Sequence, residues 1–192
     1  ILFINMEAES KIFDKIKLDD KRFSKAVYFR LAIPKLFKNK YEKIIFFDCD
    51  LAIETDLSKM YDLELKNNVV AGVPDMGIRY FYNKNKERTE YYKKIGFTKK
   101  TIKKYVNAGV MVWNLKEFLK HKEYEKDLIN FFSQHEICYL NDQDAINYTF
   151  FNKIKILKPK WNLQVLWDNQ ENYRNDLVYI YHFAGNKPWI QK

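Results

Sequence analysis

Residues 43–50 read Lys43-Ile44-Ile45-Phe46-Phe47-Asp48-Cys49-Asp50, an apolar run that stops abruptly at two carboxylates. Consecutive β-branched and aromatic side chains favour a buried strand over a helix of this length. Side chains two apart on a strand share a face, so Asp48 and Asp50 can converge on one cation while Cys49 points away. Carboxylate oxygens suit Mg²⁺ or Mn²⁺, which keep positions open for substrate phosphates. The end of a sheet strand is also where α/β folds place their ligands. The plainer alternative is a solvated strand end with two turn-forming aspartates. Cys49 reads as a small buried side chain rather than a nucleophile, because flanking carboxylates disfavour its thiolate.

Outward from this run, short apolar stretches alternate with longer amphipathic ones, the pattern of an α/β domain. Strands are expected at 1–5, 43–48, 69–73, 108–113, 154–157 and 178–183, and helices at 24–37, 56–61, 79–95, 115–134 and 142–152, with Pro34 kinking or ending the first. Nothing repeats and no linker divides the chain, so 1–192 reads as one domain, long enough to bury a core. An apolar content of 47% argues against disorder. The surplus of aromatics, fourteen Tyr and fifteen Phe, fits in part a drift towards A/T-rich codons, and no function is built on it.

The formal charge of +9 favours polyanions. Its lysines are dispersed, with small clusters at Lys35–Lys43, Lys93–Lys94 and Lys99–Lys104, and no basic run marks a nucleic-acid arm. They read as a solvated surface, with loose attachment to anionic lipid headgroups as the next reading. Two cysteines cannot make a disulfide framework or a zinc site, which fits a reducing compartment. No stretch is long and apolar enough to span a bilayer. The chain opens without Met on Ile1-Leu2-Phe3-Ile4, and is expected to be a fragment.

Three further segments carry polar residues in suggestive places. The tail Tyr181-His182-Phe183-Ala184-Gly185-Asn186-Lys187-Pro188-Trp189 delivers a histidine that can complete a Mn²⁺ shell, a glycine permitting close backbone approach, and a lysine suited to phosphate. An incidental turn explains it equally well. Asn107 precedes Gly109 where it can bond a polyhydroxyl ligand, whereas Asn114, three residues before Glu117, has capping-box spacing. Asp142-Gln143-Asp144 opens a helix, for which capping and the macrodipole are a sufficient cause. The same residues could hold sugar hydroxyls and steady positive charge at an anomeric carbon. Arg30, on an apolar helix, needs an anionic partner because it keeps its proton.

In order along the chain, "YFRLAIPKLF", "YEKIIFFDCDLAIETDLSKMYD", "AGVPD", "NAGVMVWNLKEF", "LNDQDAINY", "KWN" and "YHFAGNKPW" resemble the retaining family 8 glycosyltransferases, the group containing glycogenin and bacterial lipooligosaccharide galactosyltransferases. The resemblance implies a GT-A fold, with a mixed, mostly parallel central sheet flanked by helices. It implies a UDP-sugar donor, UDP-glucose or UDP-galactose, and an oligosaccharide or lipid-linked glycan acceptor. By the same resemblance Asp48, Asp50 and His182 would bind Mn²⁺ (or Mg²⁺), and Gly185 and Lys187 would contact the diphosphate. Arg30, Asn107, Asp142 and Gln143 would line the donor sugar, with Asp75 near the cleft. The family places two residues between that glycine and lysine, against one here. It also opens with a strand–helix–strand unit carrying uridine-binding residues, so this chain is expected to be N-terminally truncated.

Retention calls for a carboxylate nucleophile or front-face attack. Gln143 holds the obvious nucleophile position and cannot readily serve, which favours front-face attack, with Asp142 or Asp144 as the covalent alternative. The implied setting is bacterial lipopolysaccharide or other surface-glycan synthesis in the cytoplasm, with peripheral contact to the membrane's inner face and no nucleic acid. The competing readings are a sugar-phosphate nucleotidyltransferase and a non-enzymatic basic binding module.

Overall fold

The structure, a computed structural model, describes residues 3–14, 16, 24–135, 138–166, 177–185 and 187–190. Its strands are β1 (Lys43–Phe47), β2 (Leu51–Ile53), β3 (Val70–Pro74), β4 (Val106–Asn114), β5 (Ile154–Ile156), β6 (Leu163–Gln164) and β7 (Ile180–His182). The α-helices are α1 (Glu7–Ser10), α2 (Ile33–Phe37), α3 (Ser58–Tyr61), α4 (Met76–Phe81), α5 (Lys86–Lys94), α6 (Leu115–Phe118), α7 (Tyr124–Gln134) and α8 (Asp142–Thr149). Two sheets form, β1-β4-β3-β5 and β2-β7-β6.

The α/β reading holds, with corrections. The sheets are mixed, but the described strands are less parallel than expected. In the larger sheet β4 runs antiparallel to both β1 and β3, and only β3–β5 is parallel. In the smaller, β2–β7 is antiparallel and β6–β7 parallel. Of the strand expected at 1–5, residues 1–2 lie outside the described residues and 3–5 are not in a strand. β2 and β6 were not foreseen, being two or three residues long with no alternation to read. The helix at 24–37 is a 3₁₀ helix, Lys25–Ala32, followed by α2 with Pro34 in its first turn, where proline's missing N–H costs nothing. The stretches 79–95 and 115–134 each break into two helices. Asn85 and Asn114 cap the second and first pieces respectively by accepting from Arg88 N and Glu117 N.

β4 is buried from Val106 to Trp113 and organises the core. Met111 and Trp113 pack with α7, α8 and the 3₁₀ helix, while Val110 and Val112 pack against Met60, Trp161 and Ile180. That alternation does not carry through the strand's start, since Val106 and Ala108 share the side of Met111 and Trp113. The phase slips because the ladder to β3 jumps from Gly72↔Met111 to Pro74↔Val106. β4 therefore bulges across Asn107–Gly109, and the Ala108 N–H and carbonyl turn to Gln143 and Arg30. Helix α8 docks on this bulge. Asn147 Nδ2 and Oδ1 bond the Val106 carbonyl and N–H at 2.8 and 2.7 Å, and one turn earlier Gln143 Oε1 accepts from Ala108 N at 2.9 Å.

Candidate active site

The two sheets meet where β1 ends. Asp48 N still donates to the Gly109 carbonyl at 2.8 Å, and β2 pairs with β7 so that Leu51 faces His182. Asp48, Asp50 and His182 thereby each offer a ligand atom, all within 4.8 Å of one another. Gly109 makes room, since a Cβ there would collide with the His182 ring and lie 2.7 Å from Asp48 Oδ2. Cys49, expected to be buried, is exposed between them.

A hydrogen-bond chain fixes which His182 nitrogen is available. Asn107 Oδ1 accepts from Gly109 N at 2.9 Å and from Asn162 Nδ2 at 3.0 Å. The Asn162 amide is thus oriented with Oδ1 towards His182 Nδ1, 2.9 Å away. An oxygen there requires Nδ1 to carry the proton, so in the neutral ring Nε2 is a bare lone pair. It faces Asp50 Oδ1 at 3.4 Å. Two lone pairs at that distance repel unless a proton or a metal cation serves both. Carboxylate, carboxylate and an imidazole oriented by a second amide form a donor set that Mn²⁺ or Mg²⁺ fits. Asp50 also pairs with the Lys187 ammonium, which donates to the Phe183 carbonyl at 2.8 Å. His182 and then Lys187 hold the Asp50 carboxyl well below the usual carboxylate range, against the opposing effect of burial.

The floor of the cavity is built by the bulge and α8. Arg30, stacked on the Phe46 ring at 4.4 Å, donates to Asp48 Oδ1 at 2.8 Å and to the Ala108 carbonyl at 2.7 Å. Its Nε lies 2.9 Å from Asp142 Oδ2, an ion-pair distance, but off the hydrogen-bond line, so both atoms are buried without a hydrogen-bond partner. Burial pushes the Asp142 carboxyl up to about 7, with Arg30 opposing and Asp48 adding to it. Asp75 caps α4 through Oδ1, while its Oδ2 accepts from Asn107 Nδ2 and Gln143 Nε2, each at 3.0 Å. With Oε1 on Ala108 N, both ends of the Gln143 amide are engaged.

These residues line one cavity of about 640 Å³, which Gly185 and Lys187 also border. Gly185 has φ of +102° and lies against Leu166, where a Cβ would sit 2.7 Å from Cδ2. Its neighbour Asn186 lies outside the described residues. Asp144 is the exception among the residues singled out in the sequence. It is fully buried, does not line the cavity, and accepts from the hydroxyls of Tyr91, Tyr92 and Tyr105 and from Leu140 N. So placed, it ties α8 to α5 and to the residue that leads into β4, and some of the surplus tyrosines have work there. Sequence reasoning missed Asn162, although "KWN" carries it, because its role depends on a neighbour twenty residues away. It also missed the α4–α5 wall, formed by Ile78, Phe81 and Arg88.

A mixed sheet with flanking helices, and a carboxylate–histidine corner opening on a cavity with polar and apolar walls, are features of sugar-nucleotide transferases. The sequence profile of "Glycosyl transferase family 8" matches residues 2–192, and the chain belongs to that family. It is 29% identical over 201 residues to general stress protein A of Bacillus subtilis, covering 96% of this chain and 65% of that protein. It is 29% identical over 176 residues to a lipopolysaccharide 1,2-glucosyltransferase of Escherichia coli, covering 85% and 49%. Among solved structures, the galactosyltransferase LgtC in complex with donor and acceptor sugar analogues superposes with a TM-score of 0.75 at 23% identity, over 95% of this chain and 67% of that one. The fold is the GT-A fold, and the chain spans about half to two thirds of the curated relatives it matches.

Proposed function

We propose that the protein carrying this chain is a metal-dependent retaining hexosyltransferase. It moves glucose or galactose from a UDP-sugar to an oligosaccharide or lipid-linked glycan in bacterial surface-glycan synthesis. The observation that carries this reading is His182 Nε2 facing Asp50 Oδ1 at 3.4 Å beside Asp48, a site that suits a cation, next to a cavity large enough for a sugar. Mn²⁺ or Mg²⁺ held by Asp48, Asp50 and His182 would supply Lewis acidity to the departing diphosphate.

The chain's own groups do the rest. Lys187, which pairs with Asp50, would add its charge to the diphosphate. Arg30 holds Asp48 and lies against Asp142, so the ligand carboxylate and the sugar-side carboxyl share one rigid support. Gln143, Asn107 and Asp142 line the part of the cavity that would take the sugar. As the bond from the anomeric carbon to the diphosphate oxygen breaks, the acceptor oxygen bonds to the same face of that carbon and its proton passes to the diphosphate. Front-face attack is favoured because Gln143 is no nucleophile. Asp144 has its carboxylate taken up by tyrosines away from the cavity. Asp142, whose Oδ2 accepts no hydrogen bond, is the residue a covalent route would use.

The test is UDP release by the intact protein from a panel of UDP-sugars, with Mn²⁺, with EDTA, and with Asp50→Ala. Turnover of one donor that needs both metal and Asp50 is expected. A folded protein releasing no UDP from any donor would overturn the assignment.

A further inference from the structure

The α4–α5 wall of the cavity has a chemistry that the transfer reaction leaves unused. Ile78, Phe81 and Leu140 make it apolar, and Arg88 stands among them facing the same cavity. The Arg88 backbone N–H is fixed by the Asn85 cap at 2.9 Å. Its guanidinium lies over two rings, 4.7 Å from the Phe81 centroid and 5.3 Å from that of Tyr139. Arg30 offers the contrast, because its guanidinium faces two carboxylates and a carbonyl. Among the described residues no carboxylate pairs with Arg88, and no oxygen accepts from its side-chain N–H groups. Burial and then Glu87, next to Arg88 in sequence, push the Tyr139 hydroxyl up to about 12, with Arg88 opposing.

Arginine keeps its charge at any working pH. Ring contacts satisfy the faces of a guanidinium and leave its N–H edge, the fork that matches carboxylate and phosphate oxygens. A half-buried cation oriented by two rings at the wall of a sugar cavity, with that edge unspent among the described residues, is a receptor for an oxyanion. We propose that Arg88 receives a carboxylate or phosphate carried by a sugar bound in this cavity, making the protein selective for an acidic glycan. This rests on the transferase reading. Since the donor there is a neutral hexose, the acidic group belongs to the acceptor, with Ile78 and Phe81 taking the apolar face of the same ring.

Binding is measured first, by saturation-transfer NMR with UDP and Mn²⁺ present, using glucose, glucuronate and glucose 6-phosphate as probes. The protein as it stands is compared with Arg88→Met, which keeps much of the side chain's length, and Arg88→Lys, which keeps the charge; thermal melts establish that both fold. Signal from the acidic sugars should exceed that from glucose, disappear in Arg88→Met and partly return in Arg88→Lys. Equal signals from acidic and neutral sugars, or no loss in Arg88→Met, would overturn the proposal.

Kinetics then separate the two sources of the acid. Acidic and neutral acceptors are compared with UDP-glucose as donor, and UDP-glucuronate with UDP-glucose as alternative donors. In Arg88→Met the acidic-to-neutral ratio of kcat/KM should fall roughly 10- to 100-fold, the worth of a charge-assisted hydrogen bond. A fall confined to acceptors supports the assignment as stated, and a fall confined to donors places the acid on the donor and overturns the acceptor assignment. Absence of turnover with every donor sinks the transferase reading alone, and the NMR result still decides Arg88.

Discussion

Single residues in the site are shared between partners, and this sharing makes their substitution informative. Lys187 pairs with Asp50 and borders the cavity in which the proposed function puts a diphosphate. On that proposal it would compete with a metal for Asp50 and cooperate with one in the presence of nucleotide. Lys187→Met is expected to raise Mn²⁺ affinity in the absence of nucleotide by a few-fold, since a partly exposed ion pair is worth up to about 1 kcal/mol. It is also expected to weaken UDP binding. Calorimetric titration of Mn²⁺ with and without UDP reads both signs at once. A loss of metal affinity in both states would show that Lys187 supports the metal site rather than competing with it.

At the scale of elements, the bulge in β4 does most of the positioning. A regular strand would spend the Ala108 N–H and carbonyl on the ladder, whereas here they hold Gln143 and Arg30. The same bulge lets β4 pass close to His182 and Asp48 at Gly109. Gly109→Ala must displace one of them, because the obstructing atoms belong to side chains locked by Asn162 and Arg30. The variant is expected to lose about 1–3 kcal/mol of stability, the usual cost of overpacking. Mn²⁺ affinity should fall by about 10-fold or more, as when the support of a metal-bound histidine is disturbed. Urea unfolding of the metal-free protein and a Mn²⁺ titration measure the two effects. Unchanged metal affinity would remove Gly109 from the account of the site.

Over the whole molecule, the excess positive charge is unevenly spread. No Asp or Glu falls between Tyr91 and Lys116, and Lys93, Lys94, Lys99, Lys100, Lys103 and Lys104 are all exposed. Beneath them lies the aromatic cluster of Tyr82, Tyr92, Phe97 and Tyr105, so the basic surface rests on a packed base. Among the described residues no helix is long and apolar enough to cross a membrane. Each lysine near an anionic bilayer contributes about 1 kcal/mol, screened beyond a Debye length. Co-sedimentation with phosphatidylglycerol vesicles is expected at low salt, and not with phosphatidylcholine. Replacing Lys99, Lys100, Lys103 and Lys104 by Gln should abolish it. Vesicle binding that survives both high salt and these changes would rule out this surface as the contact.

By itself the sequence determined the α/β class, the strand that ends in Asp48 and Asp50, the arrival of His182 on a strand, and the Asn114 cap. Each depends on side-chain type and spacing within a few residues, where the periods of helix and strand govern. Tertiary structure decided the rest. The predominance of antiparallel pairing, the phase slip in β4 and the split helices depend on which backbone groups find partners far along the chain. The Asn107–Asn162–His182 relay spans 75 residues of sequence, and the burial of Asp144 under three tyrosines joins α8 to α5 and to the residue that leads into β4. Hydrogen-bond direction and access to solvent are properties of the assembled neighbourhood. They separated Asp142, which reaches the cavity, from Asp144 two residues on, which does not.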